Sequence, residues 1–271
     1  MKLNFYLLVL LFPLFFVQAQ DGAVWNTYQA KQEKGVSSTN VRMDLIDNAP
    51  VNGFDFLFYI KIEYRVTKES DFPIGNKLKK LYTIKNAIFD TINGTSSFYY
   101  VGSFMYDGNR FEYYYVKDVA GLEAKIDRLF AEKYKRETYK VYVREDISWE
   151  LYKDFLYPND EIKNFMSNRD TLIQLRNAGD VAEHARKIEH YATFPTEEDR
   201  KLFIAKIKEL AYTVDYEKTI GDTSLSYEVK FYREDKTSME RISKITQKLM
   251  EICYDHYGKY DGWETFVWKK K

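Results

Sequence analysis

The sequence is poor in the residues that most metal and redox sites use. It contains 271 residues, of which one is cysteine and three are histidine. A single cysteine excludes an internal disulfide framework and a cysteine-rich zinc module. The chain also lacks a phosphate-binding loop, a nucleophile-elbow pentapeptide and a His-Glu-x-x-His zinc motif. We therefore expect no cofactor, no metal site and no catalytic residues.

Net charge is absent as well. Lys and Arg number 41 and Asp and Glu number 41, so the formal net charge is +0. The balance holds in each half, with 21 of each sign through residue 160 and 20 of each sign after it. A dedicated nucleic-acid binder gains most of its affinity by neutralising phosphates. The charge balance therefore argues against a nucleic-acid partner.

The amino-terminal residues have the pattern of a secretory signal peptide. Lys2 precedes an apolar run from Phe5 to Val17, and small residues stand at Val17 and Ala19. This run is short for a bilayer span, which takes about 20 residues. The order of charged, apolar and small residues is typical of a cleaved leader, the alternatives being a membrane anchor or a buried strand. We expect cleavage after Ala19, which removes residues 1–19 and gives an exported, periplasmic or secreted protein with no stable membrane anchor.

Apolar periodicity predicts an α+β domain over residues 20–160. Alternating apolar residues predict a strand with Phe58, Ile60, Ile62, Tyr64 and Val66 on one face. Apolar residues three and four apart predict two helices, the first with Leu78, Leu81, Ile84, Ile88 and Ile92 on one side and the second with Val119, Leu122, Ile126 and Leu129. Asp107-Gly108-Asn109 marks a β-hairpin. The predicted elements form a ferredoxin-like βαββαβ sandwich with one extra N-terminal strand, from Val36 to Ile46. Ser148 is a candidate cap for a short helix that Pro158 stops.

The same element order is predicted for a second domain over residues 161–271. A helix that ends at Gly179 precedes four strands, beginning near His184, Tyr212, Leu225 and Tyr260. Thr196 and Thr237 begin capping-box patterns, which predict helices after the first and third strands. Gly258 is the predicted stop of the last helix. Two ferredoxin-like sandwiches in series are the predicted fold.

Two stretches resemble known families. The first stretch is Glu145-Asp146, Trp149-Glu150-x-Tyr152 and Leu156-Tyr157-Pro158, and it is similar to the closing motif of the bacterial family catalogued as domain of unknown function 695. The early Trp25 and Tyr28 and the strand with Tyr113-Tyr114-Tyr115 fit that family too. The resemblance covers about residues 22 to 160. It singles out Trp149, Tyr152 and Pro158 as candidate binding or family-motif positions.

The second half resembles the RraB family of ribonuclease E regulators. The matching positions are Gly179, Asp180, Arg186, His190, Phe194, Tyr260, Asp261, Gly262 and Trp263. The resemblance covers about residues 168 to 271 and implies an α/β sandwich. It also implies action by protein contact, because RraB-type proteins bind the ribonuclease scaffold and restrain it. A leader would keep this chain away from a cytoplasmic ribonuclease, so the fold transfers better than the function.

The remaining candidates for chemistry have plainer structural interpretations. His190 lies on the apolar side of its predicted strand, which indicates a core histidine. Cys253 and His256 are neighbours on the last helix, yet Cys253 continues its apolar stripe, where cysteine behaves as a small hydrophobe. Asp261-Gly262 is a turn beside Trp263, which either packs under it as a structural corner or forms a surface platform.

Aromatic residues are in excess, at 17% of the chain. They are densest in the predicted hairpin, as Phe98, Tyr99, Tyr100, Phe104, Tyr106, Phe111, Tyr113, Tyr114 and Tyr115. Aromatic side chains favour strands and fill sheet faces. With rings on both faces of one hairpin, either both sets are covered, or one set is exposed as a binding face.

The sequence as a whole predicts an exported, non-enzymatic, two-domain protein that acts by binding another protein. One alternative is a cell-envelope hydrolase that uses scattered carboxylates. Another is a cytoplasmic ribonuclease regulator, which applies if the leader is not cleaved.

Sequencing of the mature amino terminus tests the leader. We expect the chain to begin at Gln20, or to be blocked by cyclisation of that glutamine. A full-length cytoplasmic product would contradict the prediction and favour the ribonuclease interpretation.

Overall fold

The computed structural model describes residues 22–66, 70–221 and 223–270. The described residues form two compact units that meet in sequence between Tyr157 and Pro158, and each unit has its own antiparallel sheet. The predicted leader, residues 1–19, lies outside the described residues. Within those described ranges, none of the helices has the length and apolar character that crossing a lipid bilayer demands.

The first unit contains a six-stranded sheet and two helices. In chain order its elements are β1 Trp25–Gln32, β2 Gly35–Arg42, β3 Phe56–Glu63, α1 Asn76–Asn93, β4 Phe98–Tyr106, β5 Asn109–Val116, α2 Leu122–Lys133 and β6 Tyr139–Glu145, followed by a π-helical turn at Leu151–Leu156. The sheet order is β1-β2-β4-β5-β3-β6. Its last four strands, with α1 and α2, have the ferredoxin-like order, so the predicted fold class is confirmed.

The N-terminal addition is a hairpin rather than a single strand. The predicted strand from Val36 to Ile46 is β2, which ends earlier, at Arg42. Its partner β1 pairs with it from Trp25 to Gln32 and was not predicted. Strand β1 lies at the sheet edge and ends in polar residues, so it lacks the apolar alternation that identifies a half-buried strand.

Helices α1 and α2 cover one face of this sheet. The buried core holds most of the predicted stripes, namely Phe58, Ile60 and Ile62 from β3, Leu81, Ile84, Ile88 and Ile92 from α1, and Leu122, Ile126 and Leu129 from α2. Val66 is an exception, because it lies beyond the end of β3 and is 40% exposed. The predicted hairpin turn is also confirmed, because Asp107 and Gly108 have φ values of 46° and 73°. Positive φ at both central residues is the turn that fits the twist of paired strands.

The second unit has a four-stranded sheet with three helices. Its elements are α3 Asp160–Asn177, β7 Arg186–Phe194, α4 Glu197–Glu209, β8 Thr213–Thr219, β9 Tyr227–Asp235, α5 Met239–Asp255 and β10 Lys259–Glu264. The sheet order β10-β7-β9-β8 is again ferredoxin-like. The core between α4, α5 and this sheet includes Phe194, Phe203 and Phe231.

Two predicted helix signals in this unit are corrected. Ser238, not Thr237, is the N-cap of α5, and no side chain caps that helix end. The Thr237 hydroxyl is engaged instead by Arg186. At the other end Tyr257, with φ of 56°, takes the left-handed position that was expected for Gly258. Gly258 is needed for a different reason, because a Cβ there would overlap the Phe194 ring.

Substitution of Gly258 tests this close approach. We expect Gly258→Ala to lower the free energy of unfolding by about 1–3 kcal/mol, because the added methyl group overpacks the core. Urea denaturation measures the effect. Gly94→Ala is the matched control, since Gly94 also follows a helix but its Cβ would meet its nearest atom at an ordinary 3.5 Å. Equal effects of the two substitutions would contradict the close approach.

Candidate functional site

The motif at the end of the first unit forms a strap, residues 146–157, across the sheet face that has no helices. Trp149 is fully buried and has a φ of 57°. Its ring stacks on Tyr115 of β5 at 4.1 Å between centroids, with 9° between the ring planes. Its indole N–H donates to the Phe54 carbonyl at 2.9 Å. Trp149 therefore anchors the strap to the sheet.

The Asp146 carboxylate holds the start of the strap. Its oxygens accept the Tyr115 hydroxyl at 2.6 Å and the backbone N–H groups of Glu150 and Leu151 at 2.9 and 3.1 Å. Asp146 therefore caps the short helical turn, and the predicted cap Ser148 is wrong: its hydroxyl donates to the Glu150 side chain at 3.1 Å. The left-handed Trp149 delays the helical start, so the capping group lies further back in the chain. Burial and the Asp146 hydrogen bond raise the pKa of Tyr115.

The far end of the strap is fixed to the N-terminal hairpin. Tyr152 is fully buried, and its hydroxyl donates to the Arg42 carbonyl at 2.7 Å. The Tyr28 hydroxyl donates to the Leu156 carbonyl at 3.0 Å. Pro158, the third candidate position of this motif, is buried and begins the second unit. Trp149 and Tyr152 are thus the buried residues that attach the strap to the sheet and are not accessible to a ligand.

The strap leaves part of the helix-free sheet open. We call this part the open aromatic face, and its rings belong to Tyr59, Phe104, Phe111, Tyr113 and Tyr142, with Phe155 of the strap at its rim. Tyr113 is buried among these rings, and the others are partly exposed. Tyr59 stacks on Tyr142 of the neighbouring strand at 4.7 Å and 8°. Phe155 is 46% exposed and lies edge-on to Phe104 at 4.9 Å.

The aromatic hairpin therefore has two differently covered faces. Phe98, Tyr100 and Tyr114 lie in the core beneath the helices. Tyr99 and Tyr115 contact Trp149 beneath the strap. The remaining rings of the hairpin, Phe104, Tyr106, Phe111 and Tyr113, lie beside the strap. Tyr59 and Tyr142 join this set from two other strands, and the sequence analysis did not single them out.

In the second unit, Asp180 and Arg186 form a buried ion pair. The Arg186 guanidinium donates to the Asp180 carboxylate at 2.7 Å, and both side chains are at most 3% exposed. Thr237 at the start of α5 accepts from Arg186 at 2.9 Å, while the backbone N–H of Trp268 donates to Asp180 at 2.8 Å. Gly179 precedes this cluster with φ of 84° and ends α3, as predicted. The cluster joins α3, β7, α5 and the C-terminal segment.

His190, on strand β7, is fully buried. Its Nδ1 is 2.9 Å from the Tyr260 hydroxyl, and its ring stacks on Phe231 at 5.4 Å between centroids. Burial, with a smaller effect of the Arg233 charge, lowers the pKa of His190 to about 3. The imidazole is therefore neutral at ordinary pH, as in a core histidine.

The motif around Trp263 also joins elements. The Trp263 indole N–H donates to the buried Asn168 of α3 at 2.8 Å. The predicted turn at Asp261-Gly262 is instead a β-bulge within β10, where Asp261 is exposed and accepts the Thr193 hydroxyl at 2.9 Å. Gly262 has a φ of 129°, a value that favours glycine. Asn168 was missed by the sequence analysis, because an asparagine inside a helical stretch carries no pattern of its own.

The Cys253 thiol is buried, and burial raises its pKa well above the ordinary value. A protonated thiol is a poor nucleophile. Across residues 22–66, 70–221 and 223–270, no group of three or more His, Cys, Asp and Glu side chains is placed to hold a metal ion.

Comparisons with known proteins agree with both motifs. Residues 23–157 match the family described as Family of unknown function (DUF695), and residues 166–265 match RraB, Regulator of ribonuclease activity B. The chain thus joins a DUF695 domain to an RraB-like domain. No curated protein matches the chain.

A crystal structure of an unknown protein from Galdieria sulphuraria is 9% identical over 79% of this chain and 98% of that one, with a TM-score of 0.22. A TM-score of that size carries no structural argument.

The neutral His190 predicts a pH effect on stability. Its pKa of about 3 lies below the unfolded value near 6.5, so only the unfolded chain takes up a proton as the pH falls through this window. From pH 7 to pH 5 this single group costs about 2 kcal/mol of stability. We expect His190→Gln to remove that part of the pH dependence in urea denaturation.

Phe194→Leu is the control, because it perturbs the same core without removing a titrating group. A pH dependence that falls equally in both variants would contradict the assignment.

Proposed function

We propose that this chain is an exported, non-catalytic protein that regulates a partner protein by binding it. The observation that carries the proposal is the open aromatic face. Tyrosine and phenylalanine are enriched where proteins meet, and a cluster of partly exposed rings on a rigid sheet is a suitable contact surface. The RraB-like domain supports the regulatory part, since its family is described as a regulator of ribonuclease activity.

The use of the motif residues supports a non-catalytic role. Active sites keep reactive groups accessible and poised for proton transfer. In this chain, the Asp146 carboxylate is committed to three hydrogen-bond donors, and Asp180 is committed to Arg186 and the Trp268 backbone. Both carboxylates are thus engaged in holding the fold together.

The aromatic rings argue for a protein partner rather than a sugar or a base. Stacking of a sugar or base needs a free ring face. Tyr59 packs one face on Tyr142 at 4.7 Å, and its other side is 5.5 Å from the Tyr113 centroid. Phe111 is likewise stacked on Tyr113, at 6.1 Å between centroids. These stacked pairs leave fewer free ring faces for a sugar or a base.

Quantitative affinity capture from the envelope fraction tests the proposed function. We expect the full chain to retain a stoichiometric protein partner. The double variant Phe104→Ser, Phe155→Ser should capture at least tenfold less of that partner. The matched control is Tyr254→Ser, Tyr257→Ser, which removes two rings of the second unit that are 83% and 79% exposed. The control should retain the partner.

Equal capture by both double variants would contradict the role of the open aromatic face. A hydrolytic activity that disappears on removal of one carboxylate, with fold and partner binding intact, would favour the envelope-enzyme alternative.

A further inference from the structure

The strand at one edge of the first sheet has backbone groups available for pairing. Within the part of the chain that the structure describes, strand β6 lies at the edge of its sheet and pairs with β3 alone. The backbone N–H of Asp146, just after β6, donates to the Asp55 carbonyl at 2.8 Å. Because backbone groups of successive residues point to opposite sides of a strand, this bond shows which residues of β6 direct their N–H and C=O groups toward β3. The groups that face β3 belong to Lys140, Tyr142 and Arg144, and those on the free edge belong to Tyr139, Val141, Val143 and Glu145.

An aromatic ladder runs across the open aromatic face and ends at this edge. Tyr113, Tyr59 and Tyr142 lie opposite one another on β5, β3 and β6. The ring centroids are 5.5 Å apart for the first pair and 4.7 Å apart for the second. A strand added beside β6 would place a side chain directly next to Tyr142, and an aromatic ring there would extend the ladder.

The two residues that flank Tyr142 on the same face are cations. Lys140 is exposed, and its Nζ is 4.9 Å from the Tyr142 centroid. The Arg144 side chain is 53% exposed and reaches Asp146 only at 3.6 Å. The edge therefore presents a cation, an aromatic ring and a second cation at successive positions on one face.

We infer that an extended segment of the partner protein adds to β6 as an antiparallel strand, with acidic residues opposite Arg144 and Lys140 and an aromatic residue opposite Tyr142. The inference rests on the proposed protein-binding function and specifies the partner. Because Val141 and Val143 offer backbone groups on the free edge, the intervening partner residues would pair with them by main-chain hydrogen bonds. Val143 is 42% exposed, so an apolar residue suits that position.

A second copy of this chain does not fit the same edge. Antiparallel pairing of two β6 strands centred on Tyr142 would place Lys140 of each opposite Arg144 of the other. Like charges directly opposite are destabilising in a sheet. Charge complementarity therefore favours an acidic segment from a different protein.

Fluorescence anisotropy of labelled peptides with the full chain tests the inference. The probe has the core Glu-Val-Tyr-Val-Glu, flanked by Gly-Ser, and we expect saturable binding that weakens with salt. N-methylation of both valines removes the donors that face β6, and should weaken binding roughly tenfold or more. N-methylation of the central tyrosine, whose N–H points away, is the control and should change it little.

A charge exchange tests the register. In the variant Lys140→Glu, the peptide Glu-Val-Tyr-Val-Lys places its lysine opposite the new glutamate and should bind roughly two- to fivefold better than Lys-Val-Tyr-Val-Glu. The double variant Lys77→Glu, Lys79→Glu on α1 changes exposed lysines on the opposite layer. It should bind the original peptide as the unsubstituted chain does.

Three results would overturn the inference: no peptide binding, binding that is indifferent to valine N-methylation, or tighter binding of single-stranded oligothymidylate or phosphatidylglycerol vesicles that Lys140→Glu abolishes. If these occur while affinity capture still depends on Phe104 and Phe155, the edge inference fails and the proposed function stands. If capture fails as well, the proposed function fails with it.

Discussion

A sheet whose two helices both lie on one side leaves its other face without a covering layer. In the first unit α1 and α2 cover one face, and the opposite face would expose a broad layer of aromatic residues to water. A large exposed apolar surface promotes aggregation unless it is covered or binds a partner. The strap covers one part, where Trp149 and Tyr152 replace a third helix, and the remainder is the open aromatic face. Placement of the strap therefore determines which rings are structural and which are available.

Both family motifs are organised around a buried carboxylate. Asp146 accepts two backbone N–H groups and the Tyr115 hydroxyl, while Asp180 accepts Arg186, the Thr237 hydroxyl at 3.3 Å and the Trp268 backbone. A buried charge is costly unless hydrogen bonds and counter-charges compensate it. Each carboxylate thus requires several segments to be in place together. This explains why residues far apart in the sequence form a recognisable pattern.

The elements with strong periodicity could be predicted from the sequence, and the exceptions have physical causes. The stripes of α1 and α2 and the Asp107-Gly108 turn follow from local spacing and conformational preference. Strand β1 could not be predicted, because an edge strand with polar residues shows no alternation of apolar and polar residues. The Thr237 capping pattern failed because a buried arginine competes for the hydroxyl, and that partner lies 51 residues away.

The candidate site, too, could be predicted only in part from the sequence. The sequence indicates the aromatic hairpin but not which of its rings are exposed, because that depends on a strap whose position is set by tertiary contacts. Tyr59 and Tyr142 belong to strands that are distant in sequence, and only the sheet register places them beside the hairpin. Trp149, which looks like a recognition residue in the sequence, is covered completely.

The C-terminal segment alters what counts as the second domain. The RraB match ends at residue 265, yet the backbone of Trp268 donates to Asp180, accepts from Val181 at 2.9 Å, and its ring stacks on His184 at 3.7 Å. A fragment cut at the family boundary would deprive a buried carboxylate of one donor and uncover an aromatic stack. The folding unit is therefore longer than the region of family similarity. Its C-terminal segment holds the loop between α3 and β7 in place.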